Sequence, residues 1–162
     1  ERGGTDFLLD GIIRHMDEYS IFACEHKGYV ARINSTMAYF NANKDMLNPE
    51  IWAEMFMGAN LIHTKTKDAA PVQYKDTSRV VNCLVANGCE IRGEVENSIL
   101  FRDVKVGEGV KIKDCIIMEK CVIEDNAMLR NVICDKNVTV TKDQWLKGAE
   151  NYPLIVAKGT KI

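Results

Sequence analysis

Between Val85 and Val140, aliphatic and small residues return on a six-residue beat. Val85 and Cys89, Ile91 and Val95, Val106 and Val110, Ile112 and Ile116, Ile123 and Ala127, and Cys134 and Val138 fill the first and fifth places of successive units. No amphipathic helix has that period. Strand side chains change face every second residue, so apolar first and fifth places suit short strands joined by tight turns, each turn setting the next strand on a new wall of a prism. An antiparallel sandwich would instead space its turn signals about 8–12 residues apart. The pattern predicts a mainly β parallel β-helix, in which three units make one coil and each coil buries its inward residues by stacking on the next. The segment has room for roughly three to four coils. The beat slips after Asn97 and after Met118, where looped-out corner residues are expected.

Upstream the period changes. Leu9, Ile12, Ile13 and Met16 follow helical spacing behind a Thr5-Asp6 cap signal, and Ile21–Glu25 and Tyr29–Ile33 read as short strands. Ser35 is placed to cap a helix running to about Met46, while Asn48-Pro49 signals a second start with Gly58 as its stop. Residues 1–62 are thus expected to be a mixed α/β piece, small for an independent core. Residues 63–79 read as a polar connector and 80–162 as the β-helix domain. Trp52, Met55, Phe56 and Met57 are expected to form a small core against the rest, and Trp145 and Tyr152 to cap the column. The chain opens at Glu1 with a helical signal almost at once, which suggests an excised part of something longer.

Charge narrows the function classes. With 21 basic and 23 acidic residues the chain is close to neutral, unlike a dedicated nucleic-acid or membrane-surface protein. There is no secretory signal or membrane-length apolar run to read in these residues. The six cysteines include no Cys-x-x-Cys pair, and Cys83, Cys89, Cys115 and Cys121 fall inside the repeat. Reduced, core-packing thiols in a cytoplasmic protein are expected.

Three stretches carry more than periodicity: Asn97-Ser-Ile-Leu-Phe-Arg-Asp-Val-Lys-Val106, Asp114-Cys-Ile-Ile-Met118 and Arg130-Asn-Val-Ile-Cys-Asp-Lys-Asn137. They resemble the C-terminal domain of bacterial glucose-1-phosphate adenylyltransferase, the ADP-glucose pyrophosphorylase of glycogen synthesis. Thr64-Lys-Thr-Lys-Asp-Ala-Ala-Pro71 resembles that family's connector, and Gly28 to Asn43 resembles the last strand and helix of its catalytic domain. The resemblance implies a left-handed β-helix behind a Rossmann-like nucleotidyltransferase domain, and a tetrameric parent. The family's Gly-rich nucleotide loop and its sugar-phosphate-binding lysine segment have no counterpart in these residues, so the chain on its own is expected to be inactive.

A second departure lies in the run Tyr29-Val-Ala-Arg-Ile-Asn-Ser35. Catalytic members carry Tyr-Trp-Arg-Asp-Val-Gly-Thr there, and the Asp helps to hold Mg²⁺. Arg32 occupies that Asp position, exchanging a hard oxygen donor for a positive charge. A degraded metal site resembles the regulatory GlgD-type subunit that accompanies a catalytic partner in a heterotetramer. On this reading the chain holds no cofactor itself, Mg²⁺ belongs to the catalytic partner, and the β-helix serves assembly and effector coupling. Lys147 and Lys158 lie where related enzymes use basic residues for anionic effectors, and they are the candidate effector-binding residues. Two alternatives stay open: part of a catalytic subunit of the same enzyme, or a hexapeptide acyltransferase. The latter needs a histidine base between coils, whereas His15, His26 and His63 all precede the repeat.

Overall fold

A computed structural model describes residues 5–58, 62 and 67–162. Residues 64–66 of the expected connector, and His63, lie outside the described residues.

Helix α1 (Thr36–Asp45) starts where Ser35 accepts a hydrogen bond from the Ala38 amide, and α2 (Pro49–Phe56) starts where Asn48 accepts one from Glu50. Both caps and both boundaries agree with the sequence signals, with Met57 closing α2 just before Gly58. Nearer the N-terminus, Asp6 accepts from the Leu9 amide as expected, but the chain then forms a π-helical stretch, Phe7–Ile12, and one 3-10 turn, Ile13–His15. The Ile13 amide is shared between the Leu8 and Leu9 carbonyls, and none of these residues is buried. With no packed face to fix it, this segment lacks the tertiary contacts from which most helical stability comes.

The strands expected at Ile21–Glu25 and Tyr29–Ile33 do not form. A strand has no internal hydrogen bonds, and among the described residues no neighbour supplies a ladder for these two. The chain there is extended and tied down at Tyr29, whose amide donates to Glu54 (2.7 Å) and whose hydroxyl donates to Asp45 (2.8 Å).

The rest is a parallel β-helix of five layers, each of three short strands. The layers are β1 (Gln73–Tyr74), β2 (Arg79–Val81) and β3 (Leu84–Val85); β4 (Glu90–Ile91), β5 (Glu94–Glu96) and β6 (Ile99–Leu100); β7 (Lys105–Val106), β8 (Lys111–Lys113) and β9 (Ile116–Ile117); β10 (Val122–Ile123), β11 (Met128–Arg130) and β12 (Val132–Cys134); and β13 (Thr139–Val140), β14 (Trp145–Lys147) and β15 (Leu154–Val156). Every third strand pairs in parallel, giving three five-stranded faces. The ladder begins at Gln73, so the first layer already occupies part of the stretch read as connector.

Stacking turns the hexad beat into columns. The registers set Val80, Val95, Ile112, Leu129 and Leu146 one above another, and likewise Val85, Leu100, Ile117, Cys134 and Val156. These columns make one continuous apolar core. Each fully buried aliphatic side chain contributes about 1.5–3 kcal/mol relative to exposure, which is why the coils hold together without disulfides. Ser98 is a fully buried polar residue in this column set, and it is satisfied: its hydroxyl donates to the Glu96 carbonyl and accepts from the Cys115 amide.

The slips after Asn97 and Met118 are not looped-out residues. Most neighbouring layers are offset by 17 residues, as in Lys111↔Met128 and Met128↔Trp145, because the corner between second and third faces is one residue short of the ideal hexad; the last step of the third face, Val132↔Leu154, is 22 residues, the extra ones looped out at the hairpin turn of Ala149 and Tyr152. Asn82, Asn97, Asp114 and Asn131 sit at that corner in the left-handed region, with φ between 47° and 53°. Asn and Asp tolerate this conformation better than other residues with a Cβ. One coil is shorter still, with Arg79↔Glu94 only 15 residues apart. Its corner is filled by Gly93, where a Cβ would lie 2.6 Å from the Val110 carbonyl oxygen.

Trp145 and Tyr152 do not cap the column. Both point outward, 72% and 68% exposed, because Trp145 falls on the outward parity of β14 and Tyr152 on a hairpin turn bridged to Ala149. On the first face, residues 160–162 continue the ladder beyond β13, where the Thr160 and Ile162 carbonyls accept from the amides of Thr139 and Thr141. Nor does the Trp52 cluster form a core: Trp52 and Phe56 touch in a tilted pair but remain exposed, as does Met57.

Candidate functional site

The third face of the β-helix is apolar on its outside as well as its inside. Ile99, Ile116, Ile133 and Ile155 form an outward stripe by register. Helix α1 lies over its middle, where Phe40, Ile116 and Ile133 make a second buried cluster flanked by Met37, Tyr39, Phe101 and Met118. Beyond the helix the stripe is open, and Ile155 is 50% exposed. Thus α1 is clamped to the β-helix by a small core of its own.

Beside that core lies a cavity of about 570 Å³, walled by Phe40, Asn41, Lys44 and Asp45 of α1, and by Asp114, Arg130, Asn131 and Glu150 of the β-helix. The Lys44 ammonium bonds the Asp114 carboxylate, adding a charged contact to the apolar clamp. Asp45 accepts from the Tyr29 hydroxyl, and desolvation together with this carboxylate pushes the phenol above its ordinary pKa. Arg130 has a distant partner in Glu150, at 3.9 Å, which is itself 90% exposed on the hairpin turn. The cavity therefore joins the two parts of the chain, and its charges are unevenly satisfied.

The two lysines singled out from the sequence are not brought together. Lys147 ends β14 on the second face, directly beside Arg130, which is in turn beside Lys113. Lys113 is neutralised by Glu96 at 2.8 Å. Lys158 lies at the other corner, between third and first faces. The Gly159 amide donates to the Lys136 carbonyl, which sets Lys158 against Lys136. One layer further in, Glu119 holds both Lys136 (3.8 Å) and Arg102 (3.9 Å). Neither Lys136 nor Arg130 stands out from the sequence pattern, although counting back one 17-residue layer from Lys147 leads to Arg130.

Arg32 is exposed in the extended chain just before the α1 cap. His15 and His26 lie outside the coils, with His15 bonded to Glu18 at 3.0 Å. All six cysteines are free, and Cys89, Cys115, Cys121 and Cys134 are buried. Burial pushes the Cys115 thiol up to about 12 and raises those of Cys83, Cys89, Cys121 and Cys134 as well. Such thiols pack as small hydrophobes and are inert as nucleophiles. No helix among the described residues is long and apolar enough to cross a membrane.

A family model described as GlmU-like, C-terminal hexapeptide matches residues 68–148, closely the span of the stacked layers. The glycogen biosynthesis protein GlgD of Bacillus subtilis is 39% identical over 156 residues, covering 96% of this chain and 46% of that protein. GlgD of Geobacillus stearothermophilus is 40% identical over 119 residues, 74% of this chain and 35% of that one. The glucose-1-phosphate adenylyltransferase of Acetivibrio thermocellus is 33% identical over 135 residues, 83% and 32% respectively. The chain spans less than half the length of these relatives.

Proposed function

We propose, from the premise that the chain belongs to the GlmU-like C-terminal hexapeptide family, that it is the C-terminal part of a regulatory, non-catalytic subunit of bacterial glucose-1-phosphate adenylyltransferase, acting in glycogen biosynthesis. The observation that carries this reading is the likeness to a GlgD protein across 96% of the chain, at 39% identity against 33% for the adenylyltransferase. Arg32 agrees with it. A guanidinium where catalytic members place a metal-holding carboxylate repels the cation on which nucleotidyl transfer depends.

In this role the protein works through assembly in the cytoplasm with a catalytic subunit, which supplies the Mg²⁺ site, in a heterotetramer. The β-helix is the rigid element and α1 is the lever that links it to the α/β part. The small core of Phe40, Ile116 and Ile133 transmits between them. Effector anions meet basic corners, Lys158 with Lys136 at one and Lys147 with Arg130 at the other, and act by changing the relative energies of two arrangements of this joint. The likeness to adenylyltransferases themselves favours a second reading, part of a catalytic subunit, in which Arg32 merely lies on the surface.

The test is to measure ADP-glucose formation by the catalytic subunit with and without the full-length protein. A changed rate, or a changed half-saturating concentration of ATP or glucose-1-phosphate, is expected. Identical kinetics, with no complex in sedimentation, would sink the regulatory reading.

A further inference from the structure

We propose that the first face of the β-helix carries a binding site for a free α-amino acid with a small apolar side chain, its carboxylate on Arg92 and its ammonium on Glu124. The site lies on a different face from the one that α1 covers, and it goes beyond the regulatory reading.

The slot is made by the coil itself. Strands β1, β4, β7, β10 and β13 build the first face, where Ile91, Val106 and Ile123 point inward and the residues on either side of each point outward. The ladder runs one step past the strand ends: the Arg92 amide donates to the Val106 carbonyl, the Gly107 amide to that of Ile123, and the Glu124 amide to that of Val140. Arg92, Gly107 and Glu124 therefore stand in consecutive layers. The middle position has no side chain and has no room for one, since a Cβ on Gly107 would lie 2.8 Å from the Asp125 amide nitrogen. A gap is left between the two charged neighbours. It belongs to a cavity of about 290 Å³ that also has the half-buried, outward Val122 on its wall.

The charges decide the ligand. Three cations, Arg92, Lys105 and Lys142, and three carboxylates, Glu90, Glu124 and Asp125, line the cavity. A ligand of one sign meets as much repulsion as attraction there, whereas a zwitterion is matched at each end. Glu90 is taken by Arg92, at 2.8 and 3.2 Å, and Asp125 accepts from the Glu108 amide at 2.8 Å. Arg92 is thereby held in place with three of its five N–H donors left for a second carboxylate. Glu124 accepts the Lys142 backbone amide at 3.2 Å and has no ion pair among the described residues. Its charge is the one an ammonium would meet.

The spacing selects the α-amino acid. Successive layers are about 4.8 Å apart, so Arg92 and Glu124 rise from backbones about 9.6 Å apart. The ammonium nitrogen and a carboxylate oxygen of an α-amino acid are about 3 Å apart. Charge-assisted bonds of about 2.8 Å at both ends extend that span to about 9 Å. The side chain is left to lie against Val122, which sits between Lys105 and Thr139 in its row and offers apolar surface for a few carbons only.

Equilibrium dialysis of labelled L-valine against the full-length protein tests this, with isovalerate and isobutylamine, its two singly charged halves, as competitors. Valine binds saturably, and each half displaces it only at about 10–100-fold higher concentration than valine itself, because each lacks one charged contact. Arg92→Gln and Glu124→Gln each weaken valine binding by about the same factor, and Arg92→Lys, which keeps the charge and loses the fork, retains part of it. Glu124→Gln keeps an oxygen for the Lys142 amide, so it carries the test even where a change at Arg92 disturbs the fold. Lys111→Gln, on the second face, leaves binding unchanged. No saturable uptake, displacement by either half as readily as by valine, or binding that survives both glutamine variants overturns the proposal. The regulatory reading is judged by the partner's kinetics and stands or falls separately.

Discussion

Ile116 and Ile155 are the same residue in the same outward row of the third face, and they differ in whether α1 lies on top. Ile116 is fully buried against Phe40. Replacing it with alanine removes buried methyl groups and leaves a hole between helix and sheet, a change that costs about 2–5 kcal/mol in packed cores. Ile155 is half exposed, so its replacement loses about half the transfer energy of a few methylenes and opens no cavity, near 1 kcal/mol. Ile116→Ala should therefore destabilise the docking of α1 by about 2 kcal/mol more than Ile155→Ala, a factor of about 30 in the opening equilibrium. Denaturant unfolding followed by far-UV circular dichroism gives the overall loss, and hydrogen exchange at residues 36–45 gives the local one. Equal losses in the two variants, or unchanged α1 exchange in Ile116→Ala, would refute the claim that α1 and the β-helix share a core.

The coil geometry sets three further outcomes. Asn137 has φ of 59°, so Asn137→Val should cost about 1–2 kcal/mol while Asn137→Gly stays near neutral, measured by thermal melting. Gly93→Ala should destabilise by about 1–3 kcal/mol, because its new Cβ meets the backbone of Val110 and not a movable side chain. The Cys115 thiol is held protonated by burial, with its folded pKa about 12 against an ordinary value near 9. Its contribution to stability is complete below about pH 9 and is lost as the pH rises from there towards 12, since the unfolded chain ionises first. Cys115→Val should flatten that alkaline decline; an unchanged profile would show that this thiol does not contribute.

How much of the fold and site can be read from the chain depends on where the forces are local. The inward columns are legible because each hexad position repeats its burial in every layer, and the caps at Ser35 and Asn48 because a side chain there bonds an amide two or three residues on. The 17-residue offset is also written in the sequence, as Asn97, Asp114 and Asn131, but the eye tracks aliphatics and not the polar residues that turn the corner. The strands expected before α1 fail because a strand is stabilised by neighbours and none among the described residues provides them. Size alone assigns Trp145 and Tyr152 to the column, whereas strand parity puts Trp145 outside. The cavity at Arg130 is not legible at all, since it joins residues 41 and 130 through a helix docking that no local pattern announces. Lys147 and Lys158 look like one cluster in sequence, and the prism separates them onto different corners.

The central claim, that this is a regulatory and not a catalytic subunit, is tested most directly by the turnover of the full-length protein alone. ADP-glucose formation from ATP and glucose-1-phosphate should be negligible at saturating Mg²⁺. Turnover comparable to that of a catalytic subunit would contradict both the regulatory assignment and the role given to Arg32.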